Sequence, residues 1–246
     1  MNYTAAAVKK ELQQKINLEK AKLLASFFKT GKGQYGEGDV FIGLIVPEQR
    51  NVARMFSELP LEEIDVLLQS DVHEHRLTGI FILVGQFKKA KQEAERKKIY
   101  DFYLSHLSRV NNWDLVDSSA SYIMGGYLFD KSSQKSKQTL QKLAHSKSLW
   151  DRRVAIIATL YFIYQDRFDE TFEISEILLH DSEDLIHKAV GWMLREVGKR
   201  DQKAEEKFLD SHYQTMPRTM LRYAIEKFNQ KKREHYMKKS TKLGDK

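Results

Sequence analysis

Apolar residues recur mostly three and four positions apart along nearly the whole chain. Leu12/Ile16, Leu23/Leu24/Phe27, Ile64/Leu67/Leu68, Leu185/Val190/Leu194 and Leu221/Ile225/Phe228 each mark one buried stripe of an amphipathic helix. A start signal repeats too: an Asp, Asn or Ser followed three residues later by an acid and then by an apolar helix. It occurs at Asp71/Glu74, Asn111/Asp114, Ser148/Asp151 and Asp181/Asp184, a variant of the capping box in which the second acid suits the helix N-terminus. The period is about 33 to 40 residues, the range of helical solenoids. Second helices are expected over 91–109, 133–146 and 168–180, after an opening pair near 5–29 and 47–70. Pro47, Pro60 and Pro217 each precede a helix-forming stretch, where a first-turn proline forfeits no intrahelical bond.

The predicted fold class is therefore all-α, a HEAT-like helical repeat solenoid of stacked antiparallel helix pairs forming a concave basic groove. One repeat domain is expected over 1–230. The remainder, 231–246, is charged and lacks an apolar stripe, and is expected to be a frayed or disordered basic tail. Between the opening helices, Thr30 to Asp39 is rich in glycine. It lacks the Gly-Lys-Ser/Thr that opens a helix after a strand in a nucleotide-binding loop, so it reads as a turn-rich connector.

Composition sharpens this picture. The 246 residues include 3 Pro, 12 Gly and no Cys, which excludes disulfides, thiolate chemistry and cysteine-ligated metals, and points to the cytoplasm. No run of about 18 apolar residues could span a bilayer, so no membrane partner is expected. The formal net charge of +7 suits nucleic acid or another anionic surface, and equally a solubilising surface. His73 and His75 are two residues apart, which on a helix points them to different faces, and no His-Glu-x-x-His is present; neither a metal nor a cofactor is expected.

On the expected inner wall, Arg76, Asp117 and Arg153 follow their start signals by five or six residues, so they fall at similar depths on successive helices. Trp113 and Asp117 are four apart and share a helical face. A carboxylate beside an indole can stabilise a developing positive charge; the same pair can be a core anchor and a buried acceptor. Of the adjacent Arg152 and Arg153, one can salt-bridge along the surface while the other faces the groove as a phosphate clamp. An intramolecular ion pair with Asp151 or Glu183 is the alternative. Trp192 follows Gly191, whose size would let another element approach; the indole could pack, or stack on a base or sugar.

Taken in order, Phe41-Ile42-Gly43-Leu44 with Val46-Pro47 and Arg50, Trp113-Asp114 with Val116-Asp117-Ser118, Trp150 with Arg152-Arg153 and Ala155, and Lys188-Ala189 with Gly191-Trp192 and Leu194-Arg195-Glu196 resemble the bacterial DNA alkylation repair family of AlkD-like alkylpurine DNA glycosylases. The resemblance covers about residues 20 to 230. It implies hydrolysis of the N-glycosidic bond of cationic 3- and 7-alkylpurines in double-stranded DNA, without a lyase step, by a monomer. It also implies roles: Asp117 as catalytic carboxylate, Trp113 and Trp192 flanking the lesion's sugar, and Arg153 on a phosphate. Phe27 falls where the family has a tyrosine contacting DNA, and the 31–38 connector is longer than is typical there. Two further readings stand beside this one: a non-catalytic HEAT-like module that binds branched or damaged DNA, and a protein-interaction solenoid.

Overall fold

A computed structural model describes residues 3–238. Among these residues the fold is all-α, with one isolated parallel β-bridge between Val40 and Val72 and no strand. No helix among them is long and apolar enough to cross a membrane. The chain divides into two compact units, Met1–Tyr127 and Leu128–Lys246.

The first unit contains α1 (Ala5–Gln13), α2 (Leu18–Phe27), α3 (Val46–Met55), α4 (Leu61–Leu68), α5 (His73–Lys89), α6 (Glu93–Ser105) and α7 (Trp113–Ala120). The two long opening segments expected from periodicity each break once. Asn17 caps α2 by accepting from the Lys20 N–H (3.0 Å), and Pro60 stands at the N-cap of α4. Every residue of α5 from His73 to Val84 is buried, because α3, α4, α6 and α7 all pack around it. A helix enclosed on all sides loses its amphipathic stripe, and that is why α5 carries a Leu-Thr-Gly-Ile-Phe-Ile-Leu-Val run.

The second unit contains α8 (Gly126–Phe129), α9 (Ser133–Ala144), α10 (Leu149–Tyr164), α11 (Asp169–Ile177), α12 (Asp184–Arg200), α13 (Gln202–His212), α14 (Arg218–Ala224) and α15 (Gln230–Met237), with α8 straddling the boundary. Here α10 packs on α9, α11 and α12, and α12 packs on α13 and α14, the pairwise stacking of a helical repeat. Gly191 lets α14 come close: a Cβ at that position would lie 2.5 Å from Tyr223 Cβ and overlap the Met220 carbonyl oxygen.

The expected charged tail is ordered over its first part. Residues 230–237 form α15, held because Tyr236 is buried and its hydroxyl donates to Asp210 Oδ1 (2.8 Å), while Arg218 donates to the Met237 carbonyl (2.6 Å). A single aromatic anchor compensates for the missing apolar stripe. Residues 239–246 lie outside the described residues.

Candidate functional site

The glycine-rich connector folds as a series of turns whose N–H groups are taken by its own side chains. Gly31 N–H donates to Gln34 Oε1 (3.0 Å) and Gly33 N–H to Glu37 Oε2 (2.7 Å), so these amides are already committed. What the connector delivers is Asp39. Val40 next to it bridges to the start of α5, where the His73 N–H donates to the Val40 carbonyl (2.8 Å).

Asp39 sits in a buried charge network. Its Oδ1 accepts from the Arg76 guanidinium (2.6 Å), and its Oδ2 accepts from Asn112 Nδ2 (3.1 Å) and faces His73 Nδ1 (2.9 Å). The other ring nitrogen of His73, Nε2, lies 2.8 Å from Asp114 Oδ2. Burial pushes the imidazole towards its neutral form, but Asp114 foremost and then Asp39 override it and raise its pKa from 6.5 to about 9. Burial likewise works against the Asp39 carboxylate, yet His73 and Arg76 hold its pKa below the ordinary value. A doubly protonated ring donating to both carboxylates fits these distances.

The network fixes the start of α7. Asn112 caps it by accepting from the Trp113 N–H (2.8 Å), and Asp114 Oδ1 accepts from the Leu115 N–H (2.8 Å). Trp113, between these two tied residues, stacks on Phe28, with ring centroids 5.0 Å apart at 11°. Phe28 in turn stacks on Phe41 (5.0 Å), and Phe41 on the His73 ring (4.6 Å). Phe41 is held by Glu74, whose buried carboxylate accepts from the N–H groups of Ile42, Gly43 and Leu44 (2.8 to 3.3 Å). Thus the acid of the Asp71/Glu74 start signal serves the 41–44 segment across the fold rather than its own helix end. Phe27 lies 63 % exposed, its ring set edge-on to Trp113 at 5.9 Å.

Trp113 and Asp117 are both half-buried, one turn apart on α7. The helix then widens into a π-helical turn over Ser121–Gly125. Together, α7 and α2 present an indole, a carboxylate and an exposed phenyl ring on a rigidly tethered helix start. Such a group can attract a cation through ring faces and stabilise positive charge with the carboxylate.

Arg76 does not project from a wall. It is 1 % exposed, bonded to Asp39 and to the carbonyls of Ser70 (3.0 Å) and Asp71 (3.3 Å), so its guanidinium is spent on the protein itself. Arg153, in the second unit, is 5 % exposed and donates to the Leu185 carbonyl (2.5 Å), which also departs from the expected outward arm. Arg152 is the surface partner of the two, paired with Asp181 (2.6 Å) rather than with Asp151 or Glu183. Trp192 is half-buried and its Nε1–H donates to Glu196 Oε1 (3.0 Å). Among the described residues no group of three His, Cys, Asp or Glu side chains is arranged to hold a metal ion.

Sequence reasoning missed Asp39, His73 and Phe28. The one available signal was Asp114, an acid in a helix's first turn that the structure finds buried against a histidine.

The model of a family described as DNA alkylation repair enzyme matches residues 8–228. A solved structure of a predicted DNA alkylation repair enzyme from Enterococcus faecalis superposes with a TM-score of 0.66 at 18 % identity, covering 87 % of this chain and 97 % of that one. The protein smu.31 from Streptococcus mutans UA159 superposes with a TM-score of 0.50, also at 18 % identity, covering 89 % and 94 %. At such identity these two structures speak to the fold alone. No curated protein matches.

Proposed function

Because the chain belongs to the DNA alkylation repair enzyme family, we propose that it is a DNA glycosylase hydrolysing the N-glycosidic bond of cationic 3- and 7-alkylpurines in double-stranded DNA. The observation that carries this reading is the pair Trp113 and Asp117, half-buried on one face of a helix whose first turn is tied down from both sides.

A purine alkylated at N3 or N7 carries a positive charge and leaves as a neutral base, so no acid is needed to protonate it. The bond electrons go to the base, and the sugar passes through an oxocarbenium-like state. Asp117 stabilises that cation and helps orient the water that adds to C1′, and it takes the proton that this water gives up before passing it to solvent. The Trp113 ring supplies a cation-attracting face. In this reading water, not an amine, is the nucleophile, so the base is hydrolysed off and the strand is left uncut. Phe27 contacts the DNA in this reading, with Trp192 as a further contact from the second unit. The protein acts as a monomer without metal or cofactor.

The test is release of 7-methylguanine and 3-methyladenine from methylated duplex DNA by wild type and Asp117→Asn, with duplex binding measured for each. Release that falls about a hundred-fold or more in the variant while binding persists is expected. A wild type that binds duplex but releases nothing would make the protein a non-catalytic DNA-binding module.

A further inference from the structure

Between α3 and α5 in the first unit lies a cleft of about 440 Å³ in which three cations, Arg50, Arg54 and Lys89, line the walls with no carboxylate among the lining residues. We infer that this cleft binds a phosphodiester group of the DNA backbone, as a contact separate from Trp113 and Asp117. The inference rests on the reading of the protein as a duplex-DNA binder.

Other clefts in the protein show the contrast. One beside Pro60 sets Glu58 and Glu95 against Lys89 and Lys98, and one beside Phe172 sets Asp166, Asp169 and Glu176 against Arg167 and Lys207. Their charges cancel or lean negative, whereas the only charged side chains lining the α3/α5 cleft are cations.

Arg50 is also preorganised. It is exposed, and its guanidinium carbon lies 4.0 Å over the ring centroid of the buried Phe81. Stacking holds the flat of the guanidinium against the ring and leaves its edge N–H groups available, the fork that matches a phosphate. Arg54, one turn along the same helix, is hydrogen-bonded to the neutral Asn51 side chain. Neither arginine makes an ion pair among the described residues. Lys89 pairs with Glu58 at 3.2 Å, but both side chains are more than half exposed, so the pair is weak and easily redirected.

Gly85 lines the cleft and is the place to probe it. It stands inside α5, where glycine is less favourable than alanine, yet a Cβ there would meet nothing within 4 Å. Packing does not explain it. The position therefore has room for a probing side chain in the cleft.

The experiment measures affinity for an unmodified DNA duplex by fluorescence anisotropy over a range of salt. The proteins are wild type, Arg50→Gln/Arg54→Gln, Gly85→Glu and Gly85→Ala. Gly85→Glu fills the cleft with a negative charge while favouring the helix, so it should fold and melt at least as well as wild type. Both it and the arginine pair should weaken binding, and the slope of log affinity against log salt should shrink by about 0.9 for each phosphate that the variant no longer neutralises. Gly85→Ala should bind as wild type does. Unchanged affinity and slope in Gly85→Glu and the arginine pair would overturn the inference. So would calorimetry showing that the cleft takes inorganic phosphate, with duplex binding indifferent to the same variants. Because the duplex carries no lesion, the readout is independent of base release: a wild type without glycosylase activity whose cleft variants still bind more weakly and with a shallower slope leaves this inference standing. A wild type that releases bases while its cleft variants bind normally removes this inference alone.

Discussion

A hydrogen bond of 2.8 Å joins His73 Nε2 to Asp114 Oδ2 and fastens the start of α5 to the first turn of α7, the turn that carries Trp113. With Asp39 on the other ring nitrogen, the imidazole lies between two carboxylates, and the Arg76 guanidinium balances the second negative charge. Burying ions is costly, so such a cluster is tolerated only when every partner is in place. Its consequence is geometric: it leaves Trp113 one position between two anchored residues.

Replacing His73 by Gln should therefore cost about 3–5 kcal/mol, because Asp114 loses its cation and Asp39 is left with Arg76 alone. The pH dependence follows from the raised pKa. A group protonated in the folded state up to about 9, against an ordinary 6.5, contributes its full stability below about 6.5 and loses it as pH rises through 9. Urea unfolding between pH 6 and 9.5 should show the gap between wild type and His73→Gln narrowing with rising pH. A constant gap would mean that the ring is neutral in the folded protein.

Gly43→Ala should destabilise the first unit by about 1–3 kcal/mol or more. Gly43 has φ +88°, and a Cβ there would lie 2.8 Å from Ala21 N and overlap the Asn17 carbonyl oxygen. The disturbance would pass to Phe41 through the three N–H groups that Glu74 holds. Thermal melting followed by circular dichroism is the check; an unchanged midpoint would show that the 41–44 segment can adjust without strain.

These two sites mark how far the sequence is readable. Local features were legible. Ser148 caps α10 by accepting from the Asp151 N–H, the prolines stand at helix starts, and the four-residue spacing of Trp113 and Asp117 places them on one face. Cap positions slipped at the other three signals: Asn112, not Asn111, caps α7, while Val72 and Glu183 stand at the N-caps of α5 and α12 with no side-chain cap bond. Residues whose partner lies far along the chain were not legible. His73 meets Asp39 across 34 residues and Asp114 across 41, and nothing in the helical period announces either. Arg76 and Arg153 failed as outward arms for the same reason. Periodicity assigns a residue to a face but does not reveal that a carboxylate or a carbonyl waits there.

Gly191→Ala tests a close approach that the small residue itself suggests. Adding a methyl group would press on the Met220 carbonyl and on Tyr223 of α14, and the helices can relieve it only by separating, at a cost of about 1–3 kcal/mol. Urea unfolding of wild type and variant is the check. Wild-type stability would show that α14 moves freely.

Glu205 supplies the last prediction. It lies on α13, 1 % exposed, against Gly198 of α12, where a Cβ would overlap its carboxyl group; its Oε1 has no hydrogen-bond partner among the described residues. Burial first, and then the nearby Glu206 charge, push its pKa from 4.5 up to about 9, against the pull of Arg195. The folded protein therefore keeps a proton that the unfolded chain releases, and stability falls as pH rises from about 4.5 to about 9. One proton corresponds to a slope of at most about 1.4 kcal/mol per pH unit. Glu205→Gln keeps the shape and removes the titration, so it should match wild type near pH 4.5 and exceed it increasingly towards pH 8. Both proteins share the titrations of His73 and His75, so these cancel when urea unfolding of the two is compared at each pH. Parallel stability curves for the two proteins would show that Glu205 ionises normally and that water reaches its carboxyl group.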